Sequence, residues 1–175
     1  MRFDGRLYFD FSCPDVWRFY RFLVAAVADG AVLGLDWEPY IRRDDNRTSL
    51  LAHVAIRRTH PEKSGAFVQA MLMAVHERNE PHDSFETIKG AAVAAGIDAE
   101  WLAEAMAAAD AADALDAGQT EAVELGVTGT PTLYRNGPVL YVEVSGAAPT
   151  GDVLDRLRLL DRVLTDDGLW VLRKP

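Results

Sequence analysis

Apolar and polar positions along this chain of 175 residues fall into two regimes. Near both ends they form short solid or alternating runs, the pattern of strands; in between they recur only at helical spacing. Leu7-Tyr8-Phe9-Asp10-Phe11 is short, aromatic and apolar, and predicts a buried strand. Val16, Trp17, Phe19, Tyr20, Leu23 and Val27 then give a helix with a wide apolar face, which Gly30 stops. Residues 35–41 alternate again and predict a second strand, whose Pro39 suits a sheet edge or a bulge.

From 47 to 117 the signals are helical throughout. Leu50, Leu51, Val54 and Ala55 mark one helix, and Phe67, Ala70, Met71, Ala74 and Val75 another. Ser84 and Asp98 read as N-caps of two more, and Gly96 and Gly118 as stops. A further helix runs through Glu121, Ala122 and Leu125 and is capped by Gly126. Thr132–Arg135 and 139–144 flank Asn136-Gly137, a strong hairpin signal. Thr150 caps a last helix carrying Val153, Leu154, Leu157, Leu160 and Leu164. The order predicts one α/β unit interrupted by a helical block.

Composition adds mainly exclusions. A net charge of −9 without a lysine or arginine stripe argues against a nucleic-acid or anionic-membrane partner. No apolar stretch is long enough to span a bilayer, and the first residues pass straight into a strand with no signal-like region. With one cysteine there is no disulfide framework, and the cytoplasm is the expected compartment.

That cysteine, Cys13, lies between the first strand and the first helix. It occupies the N-cap, with Pro14 at the first helical position and Asp15 next. A helix N-terminus presents free N–H groups and partial positive charge, which stabilise a thiolate, whereas Asp15 opposes this. The competing reading is a small buried hydrophobe, a common fate for a lone thiol. Gly126-Val127-Thr128-Gly129-Thr130-Pro131-Thr132 is the second informative stretch. A proline at the mouth of a strand, behind glycines, is a place for a cis peptide, though an ordinary strand-entry proline reads the same way.

Taken together, Cys13-Pro14-Asp15-Val16 at a strand–helix junction, the helical block, and Val127-Thr128-Gly129-Thr130-Pro131-Thr132 before a hairpin resemble the DsbA-like branch of the thioredoxin superfamily. That branch includes FrnE-type oxidoreductases, kappa-class glutathione transferases and 2-hydroxychromene-2-carboxylate isomerases. The resemblance covers residues 6–165. It implies a thioredoxin fold, class α/β, made of 1–43 and 119–175 and carrying a helical insertion or lid of 44–118. It places Pro131, as a cis-proline, beside Cys13, and has Thr130 offer backbone hydrogen bonds to a thiol or substrate. Cys13 aligns with the attacking cysteine of the oxidoreductases and with the serine that orients glutathione in the isomerases and transferases. Ser12, Pro14, Trp17, Thr130 and Pro131 are the implied substrate contacts.

Val16 departs from the pattern: a dithiol enzyme has its resolving cysteine there, and the chain has none anywhere. Disulfide cycling within the chain is thereby removed. Three functions remain. In the first, Cys13 adds reversibly to the C=C bond of a conjugated acyl or enone molecule, catalysing cis–trans isomerisation without a cofactor. Its substrate could be free or delivered on an acyl carrier protein, and Trp17, Tyr20 and the helical lid would line a flat apolar slot. In the second, a small thiol, glutathione or mycothiol, resolves a mixed disulfide at Cys13, as in a monothiol oxidoreductase or transferase. In the third, the fold is a non-catalytic binding module.

Other residues carry weaker signals. His53, His60, His76 and His82 lack metal-ligand spacing and read as surface histidines, so no metal is expected. Asn46, Thr48 and Ser49 fall near the position where the isomerase relatives carry an asparagine, and an N-cap cluster accounts for them equally well. Asp44-Asp45 reads as solvated loop. Arg42, Arg43, Arg57 and Arg58 could form one basic patch, a scattered surface being the expected arrangement. Trp170 suits either packing onto the domain or a homodimer contact.

Overall fold

Residues 1–43, 46–137, 139–143 and 152–165 are described by the computed structural model. Strand β1 (Arg2–Phe9) leads into α1 (Pro14–Ala28) and returns as β2 (Val32–Pro39). Five helices follow: α2 (Arg47–Thr59), α3 (Pro61–His76), α4 (Phe85–Ala94), α5 (Ala99–Ala107) and α6 (Ala109–Glu124). The chain closes with β3 (Thr132–Tyr134), β4 (Leu140–Tyr141) and α7 (Val153–Thr165). The sheet order is β2-β1-β3-β4, parallel between β1 and β2 and antiparallel elsewhere.

Alternation along β1 sends its side chains to opposite faces of the sheet. Phe3 and Leu7 meet Phe19, Phe22 and Leu23 of α1 and Val153, Leu157 and Leu164 of α7. Tyr8, on the other face, packs with Tyr40, Val127 and Ala122 of α6. Phe9 and Phe11, at the strand's exit, reach a third cluster filled from α2, α3 and α4 by Leu50, Ile56, Phe67, Met71, Leu72 and Ile88. Cys13 and Val16 belong to this last cluster, so the first turn of α1 is held between the sheet and the helical layer.

Several expected boundaries move. β1 begins at Arg2 and ends at Phe9, because it pairs with β2 residue for residue from Arg2↔Val32 to Phe9↔Pro39. Asp10 and Phe11 belong to the turn that follows. Midway, Gly5 has φ +141, and a Cβ there would stand 2.9 Å from the Tyr134 carbonyl oxygen, so only glycine fits the approach to β3. Gly118 does not stop a helix: α6 runs straight through it from Ala109 to Glu124. The break the sequence hid is at Ala108, whose extended backbone (ψ 133) separates α5 from α6. Pro39 does lie in an edge strand, and Gly126, with φ +86, ends α6. Asn136 opens the β3–β4 hairpin in the left-handed region, at φ 51. Thr150, the expected cap of α7, lies outside the described residues, as do Asp44, Asp45 and Trp170.

Candidate functional site

Two separate stretches meet at Cys13. The turn after β1 is held by a hydrogen bond from the Cys13 N–H to the Asp10 carbonyl (3.2 Å), and Cys13 then serves as the N-cap of α1. Its carbonyl accepts from Trp17 N–H at 3.3 Å, and its side chain makes no capping bond, which leaves the sulfur available. Across from it, the Thr130–Pro131 peptide is cis. The Cys13 thiol donates to the Thr130 carbonyl oxygen at 3.2 Å. The residue is only 2 % exposed, and Val16, one turn into α1, is fully buried beneath it. Thr132 fixes the loop from the far side by donating its hydroxyl to the Gly129 carbonyl at 2.7 Å.

Ser12 is placed by a residue that sequence reasoning passed over. Asp10 is completely buried, and one carboxylate oxygen accepts both the Ser12 N–H (2.7 Å) and the Ser12 hydroxyl (2.8 Å). A carboxylate removed from water costs several kcal/mol unless paired and hydrogen-bonded. Here the pairing comes from Ser12 and from Arg42, whose Nε stands 3.6 Å from the other oxygen. The available signal was an ionisable residue inside an otherwise solid apolar run. Pro14 and Asp15 form the first turn of α1, where Asp15 is bonded to Arg18 at 2.6 Å.

Trp17 is half-buried and stacks with Tyr20 (centroids 5.8 Å apart) and with His76 (5.9 Å, rings 9° from parallel). The expected flat slot is only partly met. Tyr20 does line an apolar cleft of about 230 Å³, with Leu23, Val24, Val27, Leu33 and Trp37, but Trp17 and Cys13 do not line it. That cleft follows the outer face of α1 towards its C-terminal half.

Two histidines are not the surface residues that spacing suggested. His53 is fully buried on α2, with its ring edge-on to Phe9 at 5.0 Å. Its Nε2 lies 3.0 Å from the Trp37 carbonyl, which can only accept, so the proton sits on Nε2 and the buried Nδ1 is left without a partner. Burial holds its pKa down at about 3, with Arg57 adding to the effect. His76, at the end of α3, donates from Nε2 to the Phe11 carbonyl at 2.9 Å and so ties the helical layer to the cysteine turn. Burial lowers its pKa as well. Neither contact is visible in sequence, since each histidine meets its carbonyl through tertiary packing.

Asn46 precedes α2 but does not cap it: its backbone is already helical, its side chain makes no capping bond, and both amide atoms are buried without partners among the described residues. Ser49 donates its hydroxyl back to the Asn46 carbonyl at 3.1 Å. Three of the four arginines expected as a possible basic patch are each engaged by a carboxylate. Arg57 pairs with Glu38 (2.7 Å), Arg58 with Asp110 (3.2 Å) and Arg42 with Asp10. Tyr141, also missed, reaches the site from β4. Its ring covers Gly129, where a Cβ would come within 3.1 Å of Cε2. Burial raises its phenol pKa, and Asp15 and Cys13 add to that rise. Among the described residues no group of three or more histidine, cysteine or acidic side chains could hold a metal. No helix there is long and apolar enough to cross a membrane.

With this geometry in view, the comparisons are specific about family. The profile of the DSBA-like thioredoxin domain matches residues 32–158, more than half of the chain. Its span begins after Cys13. The oxidoreductase DsbA from Xylella fastidiosa superimposes with a TM-score of 0.69 at 19 % identity, over 93 % of this chain and 84 % of that one. Pseudomonas aeruginosa DsbA gives 0.68 at 16 % identity, over 93 % and 82 %. Proteus mirabilis ScsC in a compact conformation gives 0.66 at 16 %, over 91 % and 81 %. No curated protein matches the chain in sequence.

Proposed function

The chain belongs to the DsbA-like thioredoxin-domain family, and from that premise we propose that it is a single-cysteine thiol-exchange enzyme, an oxidoreductase or transferase that depends on a small thiol. One observation carries the reading: the Cys13 thiol stands 3.2 Å from the carbonyl of a cis Thr130–Pro131 peptide, at a helix N-terminus, with valine where a second thiol would resolve it. The Cys13 thiolate attacks one sulfur of a disulfide RS–SR′. A Cys13–S–S–R bond forms, the S–S bond breaks, and R′S⁻ leaves with the electron pair. A second thiolate, R″S⁻, then attacks the sulfur of R, forming R″S–SR and returning Cys13 as thiolate. The proton lost by R″SH goes to R′S⁻, and no other oxidant or reductant enters. Glutathione and mycothiol are the candidate small thiols. The words oxidoreductase and putative protein disulfide isomerase, used of solved relatives, support this order of readings.

The test is intact-mass spectrometry after exposure to a small mixed disulfide. One adduct per chain at Cys13, released by excess thiol and turned over catalytically, is the expected result. Turnover that survives Cys13→Ala would sink the proposal.

A second reading, cis–trans isomerisation through a Cys13 thioether, draws on the apolar shell. Cys13 shares its apolar cluster with Phe11 and Val16, and Trp17 packs against that cluster, a dry setting that suits addition to and expulsion from a conjugated C=C bond. It ranks lower because the substrate carbonyl would also need a donor, and the adjacent Ser12 hydroxyl is committed to Asp10. Turnover of a conjugated thioester with no added thiol would reverse the ranking.

A further inference from the structure

The turn that carries Cys13 is met, at Asp10, by an arginine with an unspent end. Arg42 leaves β2 over Asp10, its one ionic neighbour among the described residues, and approaches it through Nε at 3.6 Å. That is longer than a hydrogen bond. Asp10 does not depend on it for hydrogen bonding, because the Ser12 N–H and hydroxyl already serve the carboxylate at 2.7–3.0 Å. Among the described residues the forked Nη groups of Arg42 have no partner, and its side chain is 40 % exposed. Neighbouring arginines differ: Arg57 holds Glu38 and the Trp37 carbonyl, and Arg58 holds Asp110. Asp10 links this fork to the cysteine turn, its carboxylate facing Arg42 at 3.6 Å and its carbonyl accepting the Cys13 N–H at 3.2 Å.

A guanidinium fork matches the two oxygens of a carboxylate in one plane, which gives geometry as well as charge. The rest of the chain works against an anion, with a net charge of −9. Paired with Asp10 only through Nε, Arg42 still turns its fork outward at the residue whose carbonyl accepts the Cys13 N–H, a local donor set against the field of the whole molecule. We infer that Arg42 anchors a carboxylate on the small thiol or disulfide that reacts at Cys13. The inference rests on the thiol-exchange reading and narrows it: a carboxylate-bearing thiol is accepted, and a neutral sugar-based thiol is disfavoured. The bond-making step is the exchange already described; Arg42 takes no part in it and acts by positioning.

The experiment measures the rate of adduct formation at Cys13 with three small symmetric disulfides: dithiodipropionate (anionic), bis(hydroxyethyl) disulfide (neutral) and cystamine (cationic). Each rate is divided by that of the neutral compound, so a general change in thiol reactivity cancels. The wild-type protein should favour the anionic compound by roughly fivefold to tenfold, the size of one well-placed charge contact. Arg42→Gln should bring that ratio below about twofold, and Arg42→Lys, which keeps the charge but not the fork, should fall between. High salt should flatten the wild-type ratio. A ratio unchanged in Arg42→Gln, or a wild-type preference for the neutral or cationic compound, overturns the inference and leaves the exchange reading standing. Absence of an adduct with all three defeats the exchange reading itself, and this inference with it.

Discussion

Cys13 and Thr130 lie 117 positions apart in sequence, yet the thiol of one donates to the carbonyl of the other at 3.2 Å. The acceptor is a main-chain atom at the mouth of β3, so no substitution of the Thr130 side chain removes it. The thiol is thus located by two backbone features, the start of α1 and the entry to β3, rather than by a partner side chain.

The first prediction concerns Val16. Val16→Cys places a second thiol one helical turn from Cys13. On mild oxidation the variant should lose two hydrogens by mass, through a bond between positions 13 and 16, and should gain dithiol reductase activity towards a protein disulfide. Shrinking this fully buried side chain should cost about 1 kcal/mol in urea unfolding. Persistence of a single free-thiol adduct chemistry in the variant would show that the first turn of α1 does not present both positions to one reactant.

Asp10 is predicted to be a positioning residue. Asp10→Ala strips the acceptor from the Ser12 N–H and hydroxyl and leaves Arg42 without its ionic neighbour. Stability should fall by about 1–3 kcal/mol, the cost of orphaned donors at a buried site. The rate of mixed-disulfide formation at Cys13 should fall severalfold as the turn loosens. Asp10→Asn, which keeps an acceptor oxygen, should recover most of the stability; equal losses in the two variants would contradict this.

His53 makes stability pH-dependent. Its folded pKa, about 3, lies below the ordinary value of 6.5, so between these limits the unfolded chain binds a proton that the folded chain refuses. Stability is therefore intact above about pH 6.5 and falls as pH drops towards 3, by up to about 1.4 kcal/mol per pH unit from this group. His53→Gln keeps an amide donor for the Trp37 carbonyl but cannot ionise. The difference between wild-type and variant unfolding free energies, measured at pH 7 and pH 5, should shrink or reverse in favour of the variant at the lower pH.

Gly5 supplies a purely structural prediction. Gly5→Ala must place a Cβ 2.9 Å from the Tyr134 carbonyl at φ +141. A loss of about 1–3 kcal/mol is expected, read as a lowered melting temperature. Because β1 also carries the Cys13 turn, adduct formation should become temperature-sensitive in parallel.

How much of this could be read from the chain is best judged element by element. The wide apolar face of α1, the Asn136-Gly137 hairpin and the Gly126 helix end each rest on a local rule, and the structure follows them. The first half of β1 was not legible, because Arg2, Asp4 and Arg6 look like a polar lead-in until β2 pairs alongside. The α5–α6 break was invisible: Ala108 sits in a run of alanines, and the chain turns there without any turn-forming residue. At the site, Cys13 and Pro131 could be singled out by position. Asp10 left one trace, an ionisable residue in an apolar run, whereas His53, His76, Tyr141 and the outward fork of Arg42 could not be found, because each acquires its environment from a distant element.

Helix α6 imposes a constraint on length. It begins against α2 and α5 in the helical layer and ends with Ala122 packed on Tyr8, Tyr40 and Val127 under the sheet. Each residue advances an α-helix by about 100°. One residue inserted or deleted at Gly118 would therefore swing Ala122 out of its notch and present a larger neighbour to the two tyrosines. The helical layer and the sheet are geared together by this rod, and the chain can tolerate a change of size in its other loops far more readily than a change of one residue there.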